Sequence, residues 1–366
     1  KEKIEMNKIF LIDKNTITYS DLIDYINLNV LNAEYTEWEL FVLDTIKKLS
    51  SKGITDYDDL INSLYENNKH IELLSSGTTG TPKLIYQSFK NMVRNISQNS
   101  DDAVWAMFYH PNRMAGYQVL FQTLLTQNTL VNMRGFDYKD IQDRILTYNV
   151  THISATPTLY KMILGPTFDK VKQITFGGDG STKNLQHQIS KYFPNARIKN
   201  IYASTEGGSL FASNGELFHI PIKYMDKIKI IDNEIHLHTD IVGLSTSIKL
   251  DGNWYNTGDL VEFVTDTEFK IIGRSSNVVK VAGYNVNLES IESKILKMEG
   301  INLCKVSSKY NSVLGNMLIA EIIALDGYSL IDIKRGMKTG LEKYEIPTKI
   351  SFVKSIELNE NGKIKR

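Results

Sequence analysis

The stretch Ser75-Ser76-Gly77-Thr78-Thr79-Gly80-Thr81-Pro82-Lys83 decides how the rest of this 366-residue chain is read. Two glycines let the backbone turn tightly. The hydroxyls and N–H groups around them can wrap an anion, and Lys83 adds a point charge. The G-x-x-x-x-G-K-[ST] spacing of a Walker A loop is absent. The same residues also suit a polar turn between two strands, at 71–74 and 84–86. The sequence on either side has to decide between a phosphate cradle and a surface turn.

Downstream, short β-type runs at 129–133, 150–155, 173–176 and 198–202 alternate with helical stretches at 138–148, 157–164 and 182–192. Strand and helix alternating through short connections predict a mostly parallel sheet with covering helices. After Gly207 the period changes. Strands at 220–222, 227–231, 234–239 and 246–250, separated by Asp-Asn and Gly turns, predict a β-meander or small barrel. Beyond Gly273 a helix at 288–298 and strands near 316–323 and 349–353 predict a compact α+β unit. Upstream, residues 17–22 read as a strand end followed by a helix capped by Ser20 or Asp21. A second helix carries Trp38, Leu40, Phe41, Leu43, Ile46 and Leu49 at spacings near 3.6. The expected fold class is α/β: a large N-terminal domain, residues 1–272, and a small α+β C-terminal domain, residues 273–366.

Composition narrows the function classes. Lys+Arg and Asp+Glu are both 42, giving zero net charge, with 42% hydrophobic and 23% charged residues. This balance disfavours a nucleic-acid partner or an acidic solvating tail. The single cysteine, Cys304, excludes a disulfide framework within the chain. No apolar run approaches the ~20 residues needed to span a bilayer. A cytoplasmic, multi-domain protein is expected.

Further segments carry chemistry in chain order: Gly177-Gly178-Asp179, Tyr202-Ala203-Ser204-Thr205-Glu206, Tyr255-Asn256-Thr257-Gly258-Asp259, Gly273-Arg274, Lys280-Val281-Ala282-Gly283-Tyr284, Glu289-Ser290-Ile291-Glu292 and Asn361-Gly362-Lys363-Ile364-Lys365-Arg366. Each alone has a plain structural reading. Asp259 could close a turn, Glu206 could cap a helix, and Lys363 could be a solvated lysine. Their order together with the first loop resembles the adenylate-forming (AMP-forming) superfamily, which includes acyl- and aryl-CoA ligases, adenylation domains of peptide synthetases and beetle luciferase. The loop at 75–83 is similar to that family's [ST]-S-G-[ST]-T-G-x-P-K at every position.

The resemblance implies roles. Ser75, Ser76, Gly77, Thr78, Thr79, Gly80 and Lys83 would hold the β- and γ-phosphates of ATP. Gly177, Gly178 and Asp179 would line the adenine side, with Tyr202, Ala203 and Ser204 beside them and Tyr202 stacked on the base. Thr205 would touch the α-phosphate, and Glu206 with Thr78 would fix Mg²⁺. Asp259 would accept both ribose hydroxyls, a task that suits a carboxylate's paired acceptors. Arg274 would belong to the same site, and Lys363 would be the catalytic lysine. Gly283 would face the incoming thiol of CoA or of a carrier-protein phosphopantetheine. Ser276 or Asn277 stands where the family's hinge residue is usually Asp or Lys. The family's early T-Y-x-E-L segment is similar to Thr18-Tyr19-Ser20-Asp21-Leu22, but only roughly 55 residues separate it from the loop, which implies a reduced N-terminal subdomain.

The substrate region is His110-Pro111-Asn112-Arg113-Met114-Ala115-Gly116-Tyr117. It resembles the H-x-x-G-L segment of acyl- and aryl-acid ligases and lacks a carboxylate to hold an α-ammonium group. Arg113 and Gly116, with Gly178 and Gly208, are candidate acyl-pocket residues; Arg113 could instead brace a loop through backbone carbonyls. His219, His236 and His238 invite a metal reading, but no carboxylate or thiolate completes a recognisable site. The resemblance implies ATP-dependent formation of an acyl-adenylate followed by transfer to CoA. Carrier-protein or amine acceptors are the alternative, and a non-catalytic nucleotide-binding remnant is a third reading.

Overall fold

The structure is a computed structural model and describes residues 7–29, 34–75, 83–96, 102–177, 183–313, 315–357 and 364–365. Ser76, Gly77, Thr78, Thr79, Gly80, Gly178, Asp179 and Lys363 lie outside the described residues.

The first ten strands are β1 (Ile9–Ile12), β2 (Thr16–Thr18), β3 (His70–Ser75), β4 (Lys83–Ser88), β5 (Val104–Met107), β6 (Thr129–Asn132), β7 (His152–Ala155), β8 (Gln173–Gly177), β9 (Arg197–Ser204) and β10 (Gly208–Ser213). Eight of them form one sheet in the order β10-β9-β8-β7-β5-β6-β1-β2, and β3 pairs with β4 as a separate hairpin. Pairing is parallel from β9 through to β1 and antiparallel at both edges. Alternation along the strands feeds two apolar cores, one on each face. Trp105, Met107 and Leu130 pack into the first, while Ala106, Val131 and Ile153 pack into the second. Burial on both faces is what a parallel sheet with helical crossovers requires.

The helices Tyr138–Thr147, Pro157–Met162 and Lys183–Ser190 stand where the alternating pattern places them. The first helix, Tyr19–Leu28, is capped differently from the expectation. Thr18, not Ser20 or Asp21, is the N-cap: its hydroxyl accepts from the Asp21 N–H at 3.1 Å, and the Asp21 carboxylate accepts from the Thr18 N–H at 2.9 Å. Asp21 is the third helical residue of a capping box.

A five-stranded antiparallel sheet follows, built from β11 (Ile228–Ile231), β12 (Glu234–His238), β13 (Leu250–Asp251), β14 (Trp254–Phe263) and β15 (Phe269–Arg274). Asp232 and Asn233 both have positive φ, 50° and 63°, as a tight hairpin turn demands. Two expected strands are corrected. Around 220–222, Pro221 initiates a 3₁₀ turn, Ile222–Tyr224, because proline presets a turn φ and has no N–H to give a ladder. Of 246–250, only Leu250 belongs to a strand.

The remaining strands are β16 (Val278–Val281), β17 (Tyr284–Asn287), β18 (Ile301–Asn311), β19 (Gly315–Ala324) and β20 (Lys349–Phe352). With the helices Leu288–Ile295 and Leu330–Gly340 they enclose an apolar core of their own, which includes Ile291, Cys304, Val306, Ile333 and Met337. Among the described residues no helix is long and apolar enough to cross a membrane.

Candidate nucleotide site

Strand β8 ends at Gly177 opposite Ile201, while β9 runs on to Ser204, and the carboxyl edge of a parallel sheet is where open α/β folds bind ligands. Tyr202, two residues before that edge, is buried and stacks on Phe211 with ring centroids 4.8 Å apart. Its hydroxyl donates to Asp259 Oδ2 at 2.6 Å. Asp259 sits on β14 opposite Arg274 of β15, and Arg274 Nε lies 2.9 Å from Asp259 Oδ1. Each carboxylate oxygen is therefore held by a donor from a different strand. The Asp259 N–H is in turn satisfied by Thr257 Oγ1 at 3.0 Å. Burial, then the Asp259 charge, pushes the Tyr202 hydroxyl well above its ordinary value, so it stays a donor. Burial works to lower the Arg274 guanidinium, but Asp259, Tyr202, Glu206 and Glu289 together hold it above its ordinary value.

Glu206 follows β9 and is 9% exposed. Tyr255 hydrogen-bonds to its side chain; burial and then the Glu206 charge push the Tyr255 hydroxyl up. The Glu206 carbonyl accepts from the buried Gln87 Nε2 at 2.7 Å and from the Gly243 N–H at 2.8 Å, and Gln87 Nε2 also reaches the Thr205 carbonyl at 3.0 Å. Ser204 Oγ accepts from the Gly207 N–H at 2.8 Å. Arg94 donates to the carbonyls of Gly207, Ser209 and Ile241, and Asn95 to that of Ser209 at 2.6 Å. The turn from 204 to 209 is thus held from several sides.

One buried carboxylate beside a strand edge fits Mg²⁺ chemistry, since that ion takes one or two protein carboxylates and otherwise phosphate and water oxygens. At the β3–β4 hairpin, Ser75 pairs in register with Lys83. Ser75 Oγ is buried with no hydrogen-bond partner among the described residues.

The other sequence candidates divide. Arg113 Nη1 donates to the Leu74 carbonyl at 3.0 Å, bracing the strand that leads into the loop. Gly116 is required by packing: a Cβ there would lie 2.2 Å from the His110 carbonyl oxygen. Gly208, at φ +68°, has Met114 and Arg94 at 3.4 and 3.5 Å from its notional Cβ. Gly177 faces the Tyr109 hydroxyl at 3.8 Å, and Ala203 pairs with Ser209. Ser276 is exposed in the turn Ser275–Asn277. Gly283, at φ +92°, faces open space in the β16–β17 turn. The structure thus gathers Tyr202, Glu206, Asp259 and Arg274 into one electrostatic cluster and puts Ser276 and Gly283 on exposed turns.

Sequence reading missed Gln87, Arg94 and Gly243, and gave Tyr255 and Glu289, both inside quoted segments, no role of their own. The first three act on backbone groups, which leave no motif. Glu289 receives the Arg274 N–H at 2.9 Å and the Asn277 side-chain amide at 2.8 Å, while Asn287 donates to the Arg274 carbonyl at 2.9 Å. Gly273 leaves room for them, since a Cβ there would stand 2.5 Å from both Asn287 Oδ1 and Glu289 Oε2. Of the histidines, His238 accepts from the Asp240 N–H at 3.3 Å and lies edge-on to Trp254. Among the described residues no group of three His, Cys, Asp or Glu is arranged to hold a metal ion.

A buried, doubly held aspartate and a buried glutamate thus share one charged cluster with Arg274 beside the carboxyl end of β9. The profile of the AMP-binding enzyme family matches residues 71–233. Bacitracin synthase 3 of Bacillus licheniformis is 23% identical over 337 residues, covering 80% of this chain and 5% of that protein. D-alanine–D-alanyl carrier protein ligase of Lactococcus lactis is 24% identical over 353 residues, covering 84% of this chain and 71% of that protein. The fold is similar to ATP-bound MatB from Rhodopseudomonas palustris, with TM-score 0.75 and 16% identity over 99% of this chain and 95% of that one. It is also similar to the o-succinylbenzoate coenzyme A synthetase MenE from Bacillus subtilis in complex with AMP, with TM-score 0.71 and 17% identity over 98% and 94%. The family match over residues 71–233 and the likeness of fold agree with the resemblance of the motifs to the adenylate-forming superfamily.

Proposed function

We propose that the chain uses ATP to convert a carboxylic acid, aryl or acyl rather than α-amino, into an acyl-adenylate, and then passes the acyl group to the thiol of CoA in the cytoplasm. The observation that carries this is the Asp259 carboxylate, buried at 6% exposure and fixed by Tyr202 and Arg274 beside Glu206. A carboxylate with both oxygens oriented and lone pairs to spare is a ready acceptor for two vicinal hydroxyls.

In the first half-reaction an oxygen of the acid attacks the α-phosphorus of ATP, and the bond to pyrophosphate breaks. Catalysis is then mostly positioning and charge neutralisation. Residues 75–83 would hold the β- and γ-phosphates. Glu206, with Thr78, would hold Mg²⁺, which neutralises charge on the phosphate oxygens. Lys363 would bond the acid and α-phosphate oxygens as negative charge moves between them. In the second half-reaction a thiolate attacks the acyl carbon and AMP leaves. Residues 1–272 would bind the nucleotide and residues 273–366 would rotate about 273–277, presenting Lys363 first and Gly283 second.

Transfer to a carrier-protein phosphopantetheine or an amine is the second reading, favoured by the likeness to the D-alanyl carrier protein ligase. Pyrophosphate release with Mg·ATP, across a panel of aryl, short-chain, medium-chain and amino acids, tests the adenylation step. Release that requires one acid establishes that step, and stimulation by CoA selects the thiol. ATP binding without release for any acid would overturn the adenylation reading for that panel, and absence of ATP binding would overturn it altogether. Lys363→Ala is expected to lower adenylation by about 10²–10³-fold while sparing transfer from pre-made acyl-adenylate. Equal loss of both half-reactions would refute the two-state assignment.

A further inference from the structure

We propose that Gln87 is a positioning residue for the metal-binding carboxylate, fixing Glu206 through the backbone rather than touching the reacting atoms. The inference deepens the adenylation reading and rests on it. Gln87 lies on β4, the strand that leaves the 75–83 loop, and its side chain is wholly buried. A buried amide without partners is costly, so its bonds define its role. Its Nε2 donates to two successive carbonyls, Thr205 at 3.0 Å and Glu206 at 2.7 Å. Those two oxygens repel unless a donor lies between them, and a primary amide supplies two hydrogens from one atom. The opposite amide orientation would set Oε1 against both carbonyls, whereas the orientation present leaves Oε1 3.5 Å from Asn91 Nδ2.

The surroundings are cut to fit this contact. The Gly243 N–H gives the Glu206 carbonyl its second bond, at 2.8 Å. A Cβ at Gly243 would stand 2.7 Å from Gln87 Nε2 and 2.8 Å from its Cδ, so this glycine keeps the path open. Reciprocal bonds between Tyr86 and Leu244, at 2.8 and 2.9 Å, tie β4 to the same segment. One strand thereby carries both the exit of the phosphate loop and the amide that sets Glu206, which places the phosphate cradle and the metal ligand in register.

Calorimetric titration tests this on wild type, Gln87→Leu and Gly243→Ala. Each would be titrated with AMP in the presence of EDTA, and with ATP at a series of Mg²⁺ concentrations, with melting curves alongside. Removing an outer support of a metal ligand typically costs about 10–100-fold in metal affinity. The Mg²⁺ concentration for half-maximal ATP binding should rise by about that factor in both variants, with metal-free AMP affinity unchanged. An unchanged Mg²⁺ requirement in either folded variant overturns the positioning role. So does a matching loss of AMP affinity, which would mark Gln87 as a general packing residue. If Gln87→Leu does not fold, Gly243→Ala decides, because it retains the amide and displaces it, with Ile85 Cγ2 met at the same 2.7 Å. Wild type that binds no Mg·ATP would overturn the adenylation reading itself and the inference with it.

Discussion

Asp259 and Gly283 mark two regions built on opposite lines. Asp259 is 6% exposed, follows Gly258, and has a donor on each carboxylate oxygen. Gly283 turns the β16–β17 hairpin into open space, preceded by Ala282 at φ 47° and followed by Tyr284 at 55% exposure. The first region is organised before any ligand arrives, so little ordering remains for binding to oppose. In the second, a left-handed backbone keeps bulk out of the way. On the proposed function the difference is a division of labour: the nucleotide half is rigid and the acceptor half is clear.

The strongest way to break this comparison is Asp259→Asn. The substituted amide can keep only one of the two contacts as an acceptor: with Oδ1 on Arg274 its Nδ2 would donate to the Tyr202 hydroxyl, and the negative charge that Arg274 faces is lost. Hydrogen bonds to charged groups are worth about 1.5–3 kcal/mol. Because the Arg274 side chain is 39% exposed, a loss at the lower end of that range is expected in urea unfolding. AMP affinity should fall by about tenfold or more. Unaltered stability together with unaltered AMP affinity would show that the pair organises nothing.

Gly273→Ala attacks the junction between the two regions. The backbone there, at φ +132°, disfavours any side chain, and the new methyl would meet Asn287 and Glu289 at 2.5 Å. A loss of about 1–3 kcal/mol is expected by denaturant titration. Combined with Glu289→Ala, which alone loses the acceptor of the Arg274 N–H, the loss should be smaller than the sum of the two single losses, because the second change removes one of the colliding groups. Strict additivity would mean that Glu289 is not what the methyl meets.

Lys161 sharpens the contrast by pH. Burial lowers its amine from the ordinary lysine value to about 8, while its Nζ donates to the Asn302 carbonyl at 2.6 Å. The unfolded chain binds more protons at this group between about pH 8 and the ordinary value of about 10.4, so this lysine makes stability rise with pH across that window. Lys161→Met removes the term. Its stability relative to wild type should be most favourable below pH 8 and should decline towards pH 10, read from melting temperatures at each pH. A constant gap would refute the burial effect.

Legibility in the sequence followed the same physical lines. Strands such as β6 and β8 were readable because β-type runs are bounded by polar turns. The helix Met114–Leu125 was not read, since it buries residues nearly all round and shows no apolar stripe. The strand β18, Ile301–Asn311, was also passed over: its inner half alternates but its outer half is exposed and polar. At the site, Tyr202, Glu206, Asp259 and Arg274 stood in motifs because their side chains are themselves the chemistry. Gln87 and Arg94 grip carbonyls far away in the chain, a partnership that only the fold creates.

The smallest expected effect is at Gly283. Nothing lies within 4 Å of a Cβ built there, so Gly283→Ala meets no steric obstacle in the free protein. Its φ of +92° still disfavours alanine, by about 1 kcal/mol against glycine. A lowering of the melting temperature by a few degrees at most is therefore expected, with acid-dependent pyrophosphate release unchanged. On the proposed function, transfer from pre-made acyl-adenylate to CoA should slow, because the methyl would stand in the path proposed for the pantetheine arm. That split separates the two regions by function as well as by burial. If both half-reactions slow together, the hairpin acts on the fold and not on the acceptor. If neither slows, the thiol enters elsewhere and the openness of this turn has another cause.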